Sequence, residues 1–367
     1  MSSTTFDPRS PQRFVLFQPG GFASRHGKTG LSLLRYRGSE AVAVVDHENA
    51  GRSLREISGL PHVPDLRVVG TVAEALASRP TALAIGIAPS GGRLPDEWRV
   101  ELREAVKAGV SIWNGLHTPL NDDPVIASTL RPGVVVWDMR REPPALKTGT
   151  GGARQLPCRR ILFVGTDMSI GKMTAALEFD RESRRRGLRS AFVGTGQAGM
   201  MISGAGLCLD AVRVDYASGS VEAEVMRQGK DCDVVWVEGQ GSLLNPASTA
   251  TLPLLRGSQP THLVLVHKAG LTHLQAFPHL KIPPLEKVVE LYEQMSSAGG
   301  IFPSVSVVGI ALNTWGMSEE AARRAVDLAA EETGLPTTDA VRFGTGEILD
   351  AIMRTPGPGH SSSAVSQ

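Results

Sequence analysis

Two series of short apolar runs, divided by a stretch rich in proline and glycine, constrain the fold of this chain more than any other feature. The runs alternate with amphipathic segments, a pattern typical of β-α-β units around a buried parallel sheet. The dividing stretch, EPPALKTGTGGARQLP, falls within residues 141–157 and has the composition of a linker. We therefore predict an α/β protein with one parallel-sheet domain at residues 13–140, a linker at 141–157 and a second α/β domain at 158–355.

The apolar runs give the predicted elements. The predicted strands are residues 14–17, 41–45, 82–87, 110–113 and 134–137 in the first series, and 161–164, 190–193, 234–237, 263–266 and 305–312 in the second. The predicted helices are residues 72–78, 95–108, 171–186, 221–228, 285–297 and 318–333. The first domain is Rossmann-like in this pattern, although it lacks a GxGxxG fingerprint. Residues 1–12 and 356–367 are predicted to be flexible tails.

Composition excludes several classes of function. The net charge of +1 over 367 residues gives no electrostatic footprint for nucleic acid or for an anionic membrane surface. The first residues lack the apolar core of a signal peptide, and no apolar run approaches the roughly 20 residues that cross a bilayer. We expect a cytoplasmic protein that binds neither nucleic acid nor membrane.

The segment ILFVGTDMSIGKMTAALEF places a strand, a turn of small residues, Gly-Lys and then a helix in order. A glycine at position 171 lets the backbone approach a ligand closely, and N–H groups at the start of a helix favour an anion. Lys172 can reach a phosphate oxygen. The predicted phosphate-binding residues are Gly165, Thr166, Asp167, Met168, Ser169, Ile170, Gly171, Lys172, Met173 and Thr174.

This segment departs from the strict G-x-x-x-x-G-K-[ST] pattern. Thr166 stands where the first glycine belongs, and Met173 follows Lys172, so the hydroxyl arrives only at Thr174. One helical step turns a side chain by about 100°, so the spacing does not establish a Mg²⁺ ligand at Thr174. The alternative is a glycine-containing turn with a surface lysine.

A second motif, DCDVVWVEGQGSL, delivers Glu238 to the carboxyl end of an apolar strand, where ligands lie in open α/β sheets. Glu238 is the first candidate for a general base or metal ligand, and Gln240 in the adjoining turn is a candidate substrate-binding residue. The alternative for Glu238 is a solvated acid at a strand end. Asp215 is the second catalytic candidate, unless it only caps the helix that follows it.

Three further residues are assigned to substrate binding. Gln197 lies in the glycine-containing stretch TGQAGMMISG, Glu222 follows Asp215, and His267 follows a predicted strand and could face the same cleft. Gln197 and Glu222 have structural alternatives, which are a plain connection for Gln197 and a first-turn acid for Glu222. In the N-terminal domain, Lys28 and Thr29 are either a phosphate contact or a solvated turn.

The residues resemble two families. GTDMSIGK with VEGQG resembles dethiobiotin synthetase and related ATP-dependent ligases. A resemblance over nearly the whole chain involves KTGLSLLRYRGSEAVAVVDHENAG (28–51), NGLHTPLNDDP (114–124), GTDMSIGKMTAA (165–176) and EGQGSL (238–243). These segments are similar to the family that contains the D-glutamate N-acetyltransferases. That resemblance implies a Rossmann-like N-terminal domain, a P-loop C-terminal domain and a homo-oligomer.

The second resemblance implies an N-acetyltransferase that moves an acetyl group from acetyl-CoA to the amine of an amino acid or a related small molecule, with D-amino acids among the acceptors. Lys172 would bind phosphate rather than react, and Glu238 or Asp215 would remove the proton of the amine. The alternative is an ATP- and Mg²⁺-dependent ligase or kinase, in which Thr174 and Glu238 would hold the metal. A nucleotide-binding regulator without catalysis is the third hypothesis.

Overall fold

The structure of the protein is a computed structural model that describes residues 7–355. The chain divides into two compact units, one made of the residues up to Glu142 with Gly196–Ala211, the other of Pro143–Thr195 with the residues from Val212 onward. The predicted tail at 356–367 lies outside the described residues, as do residues 1–6 of the predicted N-terminal tail. Residues 7–12 are held in the first unit, where the guanidinium of Arg37 donates hydrogen bonds to the backbone oxygens of Pro8 and Ser10.

Helices and strands alternate along both units. The strands are β1 (Phe14–Phe17), β2 (Ala41–Val45), β3 (Ala82–Ile85), β4 (Ser111–Asn114), β5 (Val136–Asp138), β6 (Arg159–Gly165), β7 (Ser190–Val193), β8 (Val234–Val237), β9 (His262–Lys268), β10 (His273–Leu274), β11 (Phe277–Lys281), β12 (Ser306–Asn313) and β13 (Thr337–Thr338). The helices are α1 (Lys28–Arg37), α2 (Leu54–Ser58), α3 (Val72–Ala75), α4 (Asp96–Lys107), α5 (Pro124–Ala127), α6 (Lys172–Arg185), α7 (Gln197–Ser203), α8 (Val214–Gly229), α9 (Thr251–Ser258), α10 (Leu285–Ser297), α11 (Glu319–Thr333) and α12 (Gly346–Arg354).

The first unit is built on a five-stranded parallel sheet in the order β2-β1-β3-β4-β5. Strands β1, β3 and β4 are buried along their whole length, which explains why β1 and β3 are continuous apolar runs rather than alternating ones. One face carries a core around Val15, Leu83 and Leu102, and the other a core around Leu16, Leu33 and Trp113. The predicted α/β class is confirmed for this half.

Helix α7 belongs to the first unit, although the sequence assigned residues 158–355 to a single domain. Met200 and Met201 are buried in the same core as Leu33 and Leu34 of α1. The guanidinium of Arg37 also donates a 3.1 Å hydrogen bond to the backbone oxygen of Met201. Burial of this apolar face outweighs sequence order, so the chain leaves the second unit after β7 and returns at Val212.

The second unit is built on a six-stranded parallel sheet in the order β13-β12-β9-β6-β8-β7, with a separate antiparallel hairpin of β10 and β11. Strand β6 is central, and its sheet neighbours β8 and β9 both come later in the chain. The loop after β6 therefore begins between the carboxyl ends of β8 and β9. In open parallel sheets this kind of position is where ligands bind.

Most predicted strands match the structure, but several helices differ. Helix α8 begins at Val214 rather than at 221, and it includes Gly219 although glycine usually disfavours a helix interior. A Cβ there would lie 1.9 Å from the backbone oxygen of Lys147, which passes directly against the helix. Lys28 and Thr29 begin α1 instead of forming a turn, and Gln197 begins α7 instead of lying in a loop. Helices α9 and α12 were not predicted.

Part of the predicted linker is fixed to the second unit. Residues 152–155 form a short 3-10 helix, and the carboxylate of Glu222 in α8 binds the segment just before it. It accepts hydrogen bonds from the backbone N–H groups of Thr150 and Gly151, at 2.9 and 2.6 Å, and from the hydroxyl of Thr150, at 2.6 Å. The stretch from Pro143 onward is therefore an ordered edge of the second unit rather than a free connection.

Candidate active site

The loop from Gly165 to Gly171 joins β6 to α6 through two residues in the left-handed region. Ser169 has φ 55° and Gly171 has φ 112°. At Gly171 a side chain would meet the amide of Asn313 at 3.2 Å, so glycine is favoured there both by conformation and by space. The first turn of α6 holds no acidic residue and no side-chain cap. The positive end of the helix dipole is therefore directed at the loop, and no acid in the first turn of α6 offsets it.

Lys172 is the first residue of α6, and its side chain extends into this loop. The residue is only 6% exposed. Its ammonium donates a 2.6 Å hydrogen bond to the backbone oxygen of Asp167. Burial lowers the pKa of Lys172 to about 8, against the opposing attraction of the Asp167 and Glu238 carboxylates. The site thus holds a cation that is largely desolvated and close to its titration point at neutral pH.

Two glycines make the space for the Lys172 side chain. A Cβ at Gly165 would lie 3.2 Å from the ammonium, and a Cβ at Gly239 would lie 2.9 Å from Cδ. Gly239 also passes so close to β6 that a Cβ would lie 1.6 Å from the backbone oxygen of Phe163. Gly239, the first glycine of the EGQG turn, is therefore required by the phosphate loop next to it. The sequence of either motif alone does not reveal this dependence.

Asp167 holds the loop to two neighbouring segments. One carboxylate oxygen accepts a 2.8 Å hydrogen bond from the side-chain amide of Asn245 and a 2.7 Å hydrogen bond from the backbone N–H of Met168. The other oxygen accepts a 2.8 Å hydrogen bond from the backbone N–H of Gln275. Burial by itself would raise the pKa of Asp167, but these hydrogen bonds outweigh it and hold the pKa below its ordinary value. Asp167 is therefore ionised, and its hydrogen bonds attach the loop to the segments around Asn245 and Gln275.

The start of the loop is fixed by His267 and Tyr292. The hydroxyl of Thr166 and Nδ1 of His267 are 2.8 Å apart, and the Tyr292 hydroxyl donates to the Gly165 oxygen at 2.7 Å. Burial lowers the pKa of His267 to about 4, so the imidazole is neutral at pH 7. Asn313 completes the set, because its amide donates to the oxygen of Ile170 at 2.9 Å.

Glu238 and Gln240 lie at the end of β8, as the sequence predicts. The carboxylate of Glu238 is 7% exposed and accepts a 2.8 Å hydrogen bond from the N–H of Thr195. The amide of Gln240 donates to the oxygen of Thr195 at 2.5 Å. Its neighbour Gly239 lies against β6 and the Lys172 side chain, which places Glu238 next to the phosphate loop. Glu238 is therefore a buried, oriented carboxylate rather than a solvated strand end.

The other candidates differ in their exposure and in their contacts. Asp215 is solvent-exposed in the first turn of α8, where an acid stabilises the helix dipole. Glu222 binds the segment at Thr150 and Gly151, and Gln197 belongs to the first unit. Thr174 is half-buried in the first turn of α6. The structure therefore groups the loop residues with Glu238, Gln240 and His267; catalytic and substrate-binding roles stay predictions.

Sequence reasoning missed four residues that shape the loop: Asn245, Gln275, Tyr292 and Asn313. Each is distant in sequence, and none stands in a recognisable motif. Asn313 had the only usable signal, since it is the last residue of β12, at the carboxyl edge of the sheet. Over residues 7–355, no group of three or more His, Cys, Asp or Glu side chains has the arrangement of a metal site. No helix among these residues is long and apolar enough to span a membrane.

The fold and loop define a two-domain α/β protein with a Rossmann-like N-terminal domain and a P-loop C-terminal domain. Residues 47–142 match the Rossmann-like domain, and residues 147–349 the P-loop domain, of a family described as a domain of unknown function, DUF1611. The chain belongs to the DUF1611 family, which confirms the predicted fold and the resemblance found in the sequence.

Three relatives cover most of the chain. A protein of Tritonibacter scottomollicae named D-glutamate N-acetyltransferase is 33% identical over 329 residues, 89% of this chain and 93% of its own. A protein of the same name from a Pseudoalteromonas species is 34% identical over 281 residues, 76% of this chain and 83% of its own. The crystal structure of a DUF1611 family protein from Anabaena variabilis is 53% identical, with a TM-score of 0.88 over 94% of this chain and 100% of its own.

Proposed function

We propose that this protein transfers an acetyl group from acetyl-CoA to the amine of an amino acid or a related small molecule, with D-glutamate and other D-amino acids as the first acceptors to test. The observation that carries the proposal is the similarity, over most of the chain, to two proteins named D-glutamate N-acetyltransferase. The site adds chemical support, because it combines a phosphate loop with a buried carboxylate.

The loop fits the phosphates of an acyl-CoA. Such a donor carries a pyrophosphate and a 3′-phosphate, so a phosphate cradle can bind it without hydrolysing a nucleotide. The uncapped N-terminus of α6 and the ammonium of Lys172 supply the positive charge that an anion needs. Gly165, Gly171 and Gly239 keep the surrounding backbone close and free of side chains. Lys172 serves binding in this proposal and forms no covalent bond.

The reaction needs a proton acceptor and a site for negative charge. The nitrogen of the acceptor amine attacks the thioester carbonyl, the new N–C bond forms, and the C–S bond breaks to release CoA as its thiol. The proton lost by the amine passes to a base, for which Glu238 is the candidate, since its carboxylate is buried and oriented by Thr195. The same base then returns this proton to the departing thiolate. Backbone N–H groups or a cation would stabilise the tetrahedral oxyanion.

The test is an acceptor screen with two donors. The purified protein is incubated with acetyl-CoA and a panel of D- and L-amino acids, and free thiol is measured; a parallel series contains ATP and Mg²⁺ instead. We expect thiol release that depends on the amine and an acetylated product of matching mass. Release of ADP or phosphate, without thiol release, would overturn the proposal in favour of an ATP-dependent ligase or kinase.

A further inference from the structure

A cavity of about 410 Å³ lies beside the phosphate loop in the second unit. Its walls are mainly apolar and include Leu271, Ile282, Leu285, Leu312, Ala325 and Leu328. Leu328 is 65% exposed, so part of the apolar wall is open to solvent. Polar groups enter at a few places only, namely Thr272, Lys281, Glu332 and His267. Mainly apolar walls with a few polar groups are typical of sites for small organic ligands, and about 300–1,000 Å³ is their usual volume.

Two contacts join this cavity to the loop. His267 lines the cavity and is at the same time 2.8 Å from the hydroxyl of Thr166. The turn between β10 and β11 contacts the loop through Gln275, whose N–H donates to Asp167. The base of this hairpin, closed by a 2.9 Å hydrogen bond from the Ile282 N–H to the Thr272 oxygen, forms part of the cavity wall. The cavity and the loop are therefore adjacent, with His267 in contact with both.

The polar groups at the cavity include a single lysine, Lys281, which is too little positive charge for a buried dicarboxylate. The carboxylate of Glu332 is occupied by the N–H of Leu285 at 2.6 Å, and the imidazole of His267 is neutral at pH 7. Lys281 is exposed to solvent. A dicarboxylate would lose hydration on these apolar walls without adequate replacement, so the cavity does not suit a charged acceptor.

We infer that this cavity binds the pantetheine arm and acyl end of the thioester donor whose phosphates lie on the loop; this inference rests on the proposed function. The arm is long, uncharged and mostly apolar, with two amides that a few polar wall groups can meet. His267 connects the two subsites as a positioning residue. Covering Leu328 with the arm would also remove exposed apolar surface from water.

The test separates the arm from the phosphates with two ligands. CoA and adenosine 3′,5′-bisphosphate share the adenosine, the 3′-phosphate and a 5′-phosphate, but only CoA carries the arm. Calorimetric titrations compare the wild type with Ala325→Phe, which fills the cavity, and with Ala330→Phe, a control on the same helix that does not line it. We expect Ala325→Phe to weaken CoA binding by about tenfold or more, in line with the cost of overpacking, with bisphosphate binding unchanged in both variants.

The outcomes divide cleanly. If Ala325→Phe binds CoA as tightly as the wild type does, the cavity does not hold the arm, although the acetyltransferase proposal stands. If the affinities for both ligands fall equally in Ala325→Phe, the cavity binds the nucleotide part and the inference is wrong. If the wild type binds neither ligand, the acyl-CoA proposal fails and the inference fails with it. Should Ala325→Phe fail to fold by thermal melting, Leu328→Trp at an exposed position of the same wall replaces it.

Discussion

The ammonium of Lys172 donates a 2.6 Å hydrogen bond to the backbone oxygen of Asp167, five residues earlier in the same loop. Asp167 is in turn held by Asn245 and Gln275, which lie far away in sequence. The cation of the loop is therefore positioned before any ligand arrives. A side chain that is already ordered loses little conformational entropy on binding, so this arrangement favours affinity for an anion.

Replacing Lys172 by methionine should keep the apolar stem and remove the charge. Hydrogen bonds to charged groups contribute about 1.5–3 kcal/mol, so we expect CoA to bind roughly 10- to 100-fold more weakly. Isothermal titration of CoA measures the change. Lys230→Met, at an exposed position after α8, is the matched control and should bind like the wild type. Equal affinity in Lys172→Met and wild type would remove the loop from the site.

The affinity for CoA should depend on pH through Lys172. Burial lowers the pKa of this lysine to about 8, so it carries its charge below that pH and loses it above. A bound phosphate favours the charged form, and binding must then take up a proton at higher pH. We expect the dissociation constant to rise by up to about tenfold per pH unit above 8.

Arginine stays charged throughout, so Lys172→Arg should abolish this dependence, whatever its affinity at pH 7. A flat wild-type profile from pH 7 to 9.5 would contradict the assignment.

The sequence predicted the order of strands in the chain and the position of the phosphate loop, because apolar runs and glycine turns are local signals. Gly171 and Lys172 stand together in one segment, and Glu238 ends a clear strand. Their spatial neighbours were not predictable in this way. Tyr292 and Gln275 reach the loop only because the sheet order places β9 beside β6, and a single sequence does not specify that order.

The assignment of α7 to the wrong half shows a different limit. Its segment follows β7 directly, and chain proximity suggested one continuous domain. The decisive contacts of Met200 and Met201 are instead with Leu33 and Leu34, more than 150 residues earlier in the sequence. Glu222 illustrates the same point, because its partners at Thr150 and Gly151 lie in a stretch whose composition suggested a free linker.

Substitution of Glu238 by glutamine should test the base. General base catalysis contributes typically 10²–10⁴-fold, so we expect kcat to fall by about that factor. The KM for acetyl-CoA should change little, since glutamine can still accept the hydrogen bond from Thr195. Asp231→Asn, an exposed acid before the same strand, is the control. Asp215→Asn compares the second candidate directly, and a larger loss of kcat there than in Glu238→Gln would reverse the assignment.

Glu222→Gln should reduce stability rather than catalysis. The buried carboxylate accepts three hydrogen bonds from Thr150 and Gly151, and an amide leaves part of this set unsatisfied. We expect the free energy of unfolding in urea to fall by about 1–3 kcal/mol. Glu290→Gln, which removes only a surface ion pair with Lys287, should change it by less than about 1 kcal/mol. A large loss of kcat with unchanged stability would instead support the predicted substrate-binding role of Glu222.

Acid should destabilise the folded protein through two buried histidines. Burial lowers the pKa values of His267 and His262 to about 4, whereas an unfolded histidine titrates near 6.5. Between these values the unfolded chain takes up protons that the folded chain does not, so the free energy of unfolding falls as pH drops from 6.5 to 4. Each histidine contributes about 3 kcal/mol to this loss in the free energy of unfolding, since one pKa unit corresponds to about 1.4 kcal/mol.

His267→Gln should flatten the measured stability curve over this range, whereas His279→Gln, at an exposed position, should leave it unchanged. An equally steep curve in His267→Gln would show that the imidazole next to Thr166 becomes protonated in the folded protein.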